Sequence, residues 1–117
     1  MARNVLTFLL LLLAPLGAQA QGARYCDGAV VADHFDTRVT PGSPTRAEYF
    51  VTLRNTQSAM RRVQVVVTAS MIDRPSPAPT ALPAGQLLRV RLGYQILSGN
   101  PALRGEALAN VTRVSCV

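Results

Sequence analysis

Tyr49-Phe50-Val51-Thr52-Leu53-Arg54-Asn55-Thr56-Gln57-Ser58-Ala59-Met60-Arg61-Arg62-Val63-Gln64-Val65-Val66-Val67-Thr68-Ala69-Ser70-Met71 is the stretch that decides the fold. It reads as two β-strands joined at Asn55-Thr56-Gln57-Ser58. In the first, Tyr49, Val51 and Leu53 alternate with Glu48, Thr52 and Arg54. In the second, Val63, Val65, Val67 and Ala69 alternate with Arg62, Gln64, Thr68 and Ser70. Period-two alternation rich in β-branched residues marks a strand with one buried and one wet face. The stretch is therefore expected to form a central hairpin. Its connection, Asn55 to Ala59, is longer than a two-residue turn and calls for a bulge or a wider loop. The rest of the chain reads as cover for the apolar face of this hairpin.

On the N-terminal side, Pro41-Gly42-Ser43-Pro44 is a turn, since Pro presets an early turn position and Gly tolerates positive φ. Before it, Ala29 to Val31 is a brief apolar strand, and Thr37 to Thr40 closes the first strand. On the C-terminal side, Pro75-Ser76-Pro77-Ala78-Pro79 cannot donate to a ladder and favours extended geometry. It reads as a stiff crossover between sheets, with a recognition motif as the alternative. Leu88, Val90, Leu92 and Tyr94 then alternate with Arg89, Arg91, Gly93 and Gln95. Asn100-Pro101 suits the start of a short helical turn, and Gly105 argues against a long helix there. The last strand is expected over Asn110 to Cys116, with Thr112, Val114 and Cys116 on one face.

Six or seven short strands separated by turns predict an all-β chain, a small immunoglobulin-like β-sandwich, with a small barrel as the alternative. The strand-turn-strand grammar, notably Leu53-Arg54-Asn55-Thr56 and Leu82-Pro83-Ala84-Gly85, resembles that of immunoglobulin-like envelope modules. The resemblance implies architecture and no particular family. The antibody hallmarks are missing, because the chain has no Trp and its cysteines are terminal.

Residues 1–20 read as an address. Met1-Ala2-Arg3-Asn4 gives a positive start, Val5 to Leu13 an apolar run, and Ala18-Gln19-Ala20 a small-x-small cleavage site. The run is about half the roughly 20 residues needed to span a bilayer. A Sec-type signal peptide cleaved after Ala20 is expected, leaving 97 of the 117 residues as a single domain over 21–117. Periplasmic or extracellular localisation follows. The two cysteines of the chain, Cys26 and Cys116, lie at opposite ends of that domain. An even pair in an oxidising compartment reads as a structural disulfide between first and last strands, paired reactive thiols being the alternative.

The mature chain carries 11 Arg, since Arg3 belongs to the leader, and no Lys, against six acids. No nucleophile elbow, phosphate loop or heptad is present, and two thiols with one His make a poor zinc set. Catalytic residues, metal and cofactor are accordingly expected to be absent. Asp33-His34-Phe35-Asp36 is the one crowd of ionisable side chains. It could serve as an acid-base or metal site, but neighbouring strand residues point to opposite faces. Only His34 and Asp36 share a face, so a solvated strand end is the preferred reading. Candidate binding residues are Arg61 and Arg62 after the central turn, Arg89 and Arg91 on their strand, and Phe50 on an outer face.

Three functions compete on these residues. The first is a non-enzymatic accessory module of the cell envelope, binding a protein through a strand edge or end loop, with inhibition of a hydrolase as one form. The second is an arginine-driven binder of anionic envelope polymer such as lipopolysaccharide. The third is a small hydrolase or metal-binding protein using Asp33, His34 and Asp36. Nucleic acid is not expected as a partner, because an exported chain rarely meets it and stacking aromatics are scarce.

Overall fold

The computed structural model describes residues 22–74 and 78–117. The leader expected over 1–20 and most of the Pro75–Pro79 run lie outside the described residues. Seven antiparallel strands form two sheets: β1 (Ala23–Tyr25), β2 (Val30–Thr40), β3 (Thr45–Asn55), β4 (Arg61–Val67), β5 (Thr80–Leu82), β6 (Leu87–Leu97) and β7 (Thr112–Cys116). One short helix, α1 (Gly105–Asn110), precedes β7. The four-stranded sheet has the order β1-β2-β3-β6 and the three-stranded sheet the order β5-β4-β7. In hydrogen-bond order this is an immunoglobulin-like sandwich. β2, β3 and β6 take the places of strands A, B and E, and β5, β4 and β7 those of C′, C and F. β1 is added outside A.

Both strands of the deciding stretch form, but they do not pair with each other. β3 pairs with β2 and β6, while β4 pairs with β5 and β7. The expected hairpin is instead an arch from one sheet to the other, and the buried Asn55 builds it. Its Nδ2 donates to Ala59 O (2.8 Å) and Leu82 O (3.0 Å), and its Oδ1 accepts from Gln57 N (2.9 Å). An Asn side chain standing in for a turn's backbone bonds holds the chain in the crossing conformation. The hairpin of the fold is β2–β3, closed at the Pro41–Pro44 turn.

Two bulges set which side chains face outward. Between Ala32 and His34 the register of β2 shifts by one residue at Asp33. In β6, Gly93 pairs with Tyr49 and Arg91 with Phe50, which leaves Leu92 as the extra residue. A bulge changes the phase of alternation beyond it. Tyr94, expected inward with Leu88, Val90 and Leu92, therefore turns outward, and Gln95 turns into the core (3% exposed).

The core is aliphatic apart from Tyr49. Val30, Ala32, Ala47, Tyr49, Val51 and Leu53 face Val63, Val67, Leu82, Ile72 and Leu108. The Tyr49 hydroxyl donates to Gln95 Oε1 at 2.6 Å and accepts the Leu103 N–H at 3.1 Å. Thr37 Oγ1 donates to Leu103 O at 2.6 Å. With both Leu103 backbone groups taken by side chains, the helical turn expected at Asn100-Pro101 does not form. Arg104 is still extended (φ −143°, ψ 148°), and the helix starts only at Gly105.

Cys26 and Cys116 are disulfide-bonded, 6.0 Å apart at Cα and 90 residues apart in sequence. Cys26 lies in the single turn after β1, and Cys116 ends β7, so the bond staples the two sheets at one side of the sandwich. At the opposite side, residues 72–74 cross the edge of β6, where Asp73 and Tyr94 exchange backbone bonds of 2.7 and 2.9 Å. Gly93 permits that crossing: a Cβ there would stand 2.5 Å from Asp73 O, and its φ is +144°.

Candidate functional site

The outer face of the four-stranded sheet gathers most of the chain's polar chemistry. Because Tyr49, Val51 and Leu53 point inward, Glu48, Phe50, Thr52 and Arg54 point out. On β2 the bulge at Asp33 brings His34 and Asp36 to the same face. On β6, Arg89 lies opposite Thr52, Arg91 opposite Phe50 and Tyr94 opposite Glu48.

Two aromatic rings on this face are each capped by a guanidinium. Arg89 stands 3.9 Å over the Phe50 ring, and its Nε is 4.0 Å from Asp36 Oδ2. Arg46 stands 3.9 Å over the Tyr94 ring, with Arg91 at 5.9 Å on the same ring. Arg91 Nε reaches Glu48 Oε2 at 3.4 Å. The Tyr94 hydroxyl donates to Asp73 Oδ2 at 2.8 Å, and this bond to a carboxylate pushes the phenol pKa above its ordinary value. At the far corner Arg54 Nε holds both Asp33 oxygens, at 3.1 and 3.3 Å.

Six arginines of this face (Arg24, Arg38, Arg46, Arg54, Arg89, Arg91) stand against four carboxylates (Asp33, Asp36, Glu48, Asp73). The result is a mixed charge mosaic, still net positive, around two aromatic rings. Sequence reasoning singled out Phe50, Arg89, Arg91, Asp33, His34 and Asp36, and all six share this face. It missed Arg46, Glu48, Tyr94 and Asp73. Tyr94 had a readable signal, since a Gly inside a strand often marks a bulge that reverses the alternation.

Arg61 and Arg62 belong elsewhere, at the start of β4 in the other sheet. Arg62 is exposed on that sheet's outer face, and its backbone carbonyl accepts from Val117 N at 3.0 Å. Arg61 shares the inward face with Val63, and its half-buried side chain has Nε without a hydrogen-bond partner.

His34 Nε2 lies 3.3 Å from Asp36 Oδ2 and 3.2 Å from Thr52 Oγ1. Both contacts fall on one ring nitrogen. A hydroxyl-to-imidazole-to-carboxylate relay needs the two partners on different nitrogens, one to take the proton and one to orient the ring. This geometry instead ties three side chains of two neighbouring strands, β2 and β3, together on an open sheet surface. Among the described residues no group of three His, Cys, Asp or Glu converges as a metal set.

A groove of about 610 Å³ opens at the disulfide side, between β1, α1 and β7. Tyr25 is half-buried there, and its phenol pKa is pushed up by burial, with the Arg113 guanidinium opposing. Compared with protein-family models, curated proteins and solved structures, the chain matches none of them.

Proposed function

We propose that the chain is an exported, non-catalytic protein-binding module of the cell envelope that presents the outer face of its four-stranded sheet. The observation that carries this reading is the stacking of Arg89 on Phe50 and of Arg46 on Tyr94, both at 3.9 Å. A guanidinium already held over a ring loses little further freedom when a partner binds. Arg and Tyr are also the residues that most often dominate protein interfaces. The interleaved carboxylates support a protein partner over an anionic polymer, because they cancel most of the positive field on this face. Export is supported by the disulfide, which persists in oxidising compartments. Among the described residues no helix is long and apolar enough to cross a membrane.

The polymer reading keeps one favourable observation. β4, β5 and β7 carry no acidic residue, and Arg62 and Arg113 are exposed on them. Capture from envelope extract at low and high salt, with wild-type protein and the Phe50→Ala/Arg89→Ala variant, separates the two. A discrete protein retained at high salt and lost with the variant is the expected result. Anionic material that high salt removes, and that only an Arg62→Ala/Arg113→Ala variant fails to hold, would replace this reading with the polymer one.

A further inference from the structure

We infer that the groove between β1 and β7 receives one extended strand of a partner protein, hydrogen-bonded along the free edge of β7. This surface is separate from the sheet face proposed above. Four observations converge on it.

The first is topological. In an immunoglobulin sandwich strand F is flanked by C on one side and by G on the other. Here β7 holds the F place and β4 the C place, and among the described residues no strand lies on the other side of β7. The described residues therefore leave the strand position beside β7 unfilled.

The second is the direction of the backbone groups. Val111 O accepts from Thr68 N (2.7 Å) and Val117 N donates to Arg62 O (3.0 Å), so these residues direct their polar groups toward β4. In an antiparallel ladder that direction alternates residue by residue. Arg113 and Ser115 then also face β4, whereas Thr112, Val114 and Cys116 turn their N–H and C=O outward. The Thr112 carbonyl accepts from the Arg113 guanidinium, and the others have no strand beside them among the described residues. Unpaired groups on an edge strand are a template for another strand.

The other edges are protected. That of β6 is crossed by Asp73 and bears Arg89 and Arg91, while β1 and β5 are three residues each. Short length and edge charges are the ordinary devices against edge pairing.

The fourth is the lining. Ala23, Tyr25, Ala109 and Val114 give the groove an apolar floor, with Glu106 and Arg113 also lining it. A volume of about 610 Å³ lies within the range of binding clefts. Neither Glu106 nor Arg113 has an ion-pair partner among the described residues. The recorded bonds of Arg113 Nη1 go to the carbonyls of Asn110 (3.0 Å) and Thr112 (3.2 Å). The fitting occupant is an extended segment with aliphatic side chains at alternate positions for the floor and a basic residue for Glu106.

The test uses the disulfide-intact protein and an end-capped octapeptide that alternates valine with threonine and lysine. Its control is the same peptide with proline at the centre. Val114→Pro removes an outward N–H that the β4 ladder does not use, a place where an edge strand tolerates proline. Losing the central bonds should weaken peptide binding by about tenfold. The peptide should also slow hydrogen exchange at the Val114 and Cys116 amides, a readout that needs no variant if Val114→Pro fails to fold. Phe50→Ala/Arg89→Ala should leave this binding within about twofold, since it touches only the sheet face. The inference is overturned if the proline peptide binds equally well, if no β7 amide gains protection, or if the sheet-face variant abolishes binding.

Discussion

Tyr49 and Gln95 meet in the interior of the sandwich, the phenol donating to the amide oxygen at 2.6 Å. The same oxygen of Tyr49 accepts the Leu103 N–H. One buried hydroxyl thus joins β3, β6 and the segment that leads to α1. Tyr49→Phe keeps the ring but strands the buried Gln95 amide oxygen and the part-buried Leu103 N–H, and an unmade buried bond costs about 1–3 kcal/mol. Urea unfolding should register a loss in that range, with faster amide exchange at Leu103. An unchanged midpoint would mean that water or a shifted loop replaces the hydroxyl.

Gly93 is the residue that the crossing of β6 by residues 72–74 cannot do without. An added Cβ would meet Asp73 O at 2.5 Å and Ile72 Cγ2 at 2.9 Å, and φ of +144° disfavours any L side chain. Gly93→Ala should destabilise by about 2–4 kcal/mol, overpacking and backbone strain acting together. The local signature is lost exchange protection at the Tyr94 amide, which now donates to Asp73 O at 2.9 Å. It also exposes the long β6 edge, so the variant should aggregate more readily than wild type. A soluble variant with Tyr94 still protected would show that the crossing segment has room to shift.

These two positions show what was legible in the sequence and what was not. Alternation located the strands, because it reports which side chains must be buried. It is silent on pairing partners. β3 and β4 look like a hairpin because both alternate and five residues separate them. The arch is instead decided by Asn55, whose side-chain bonds reach Leu82, 27 residues away. The bulge at Asp33 was hidden, since it shifts a phase through contacts with a neighbouring strand, whereas Gly93 was the one sequence signal for the bulge at Leu92. The shared face was half legible: Phe50, Arg89 and Arg91 follow from simple alternation. Tyr94 does not, and the stacking of Arg46 on it exists only once the β6 register is known.

The disulfide was legible from compartment and cysteine count, and its weight follows from its span. Closing a loop of 90 residues stabilises by roughly 4–5 kcal/mol in the chain-entropy model. A small domain has only about 5–15 kcal/mol in total. Cys26→Ser/Cys116→Ser should therefore lower the urea midpoint severely without altering the strands that remain folded. Comparison of the unfolding curves of the oxidised protein and the double variant checks this. A difference below about 1 kcal/mol would point to a reduced chain that keeps its ends together without the bond.

Tyr25 should contribute to the loss of stability on the alkaline side, alongside Tyr94. Burial beside the groove raises its pKa above the ordinary value of 10.0, against the opposing pull of Arg113. The folded state therefore holds the phenol proton more tightly than the unfolded chain does. That contribution is complete below about pH 10, the unfolded value, and is lost as pH rises through the higher folded value. Tyr25→Phe should reduce the alkaline fall in stability. Arg113→Ala should move the phenol titration to still higher pH, because it removes the one charge that favours phenolate. Ultraviolet titration of the phenolate, with Tyr94→Phe to assign the second raised tyrosine, reads both effects. If Arg113→Ala moved the titration downward, Arg113 would be acting by shielding the Tyr25 ring from water and not through its charge.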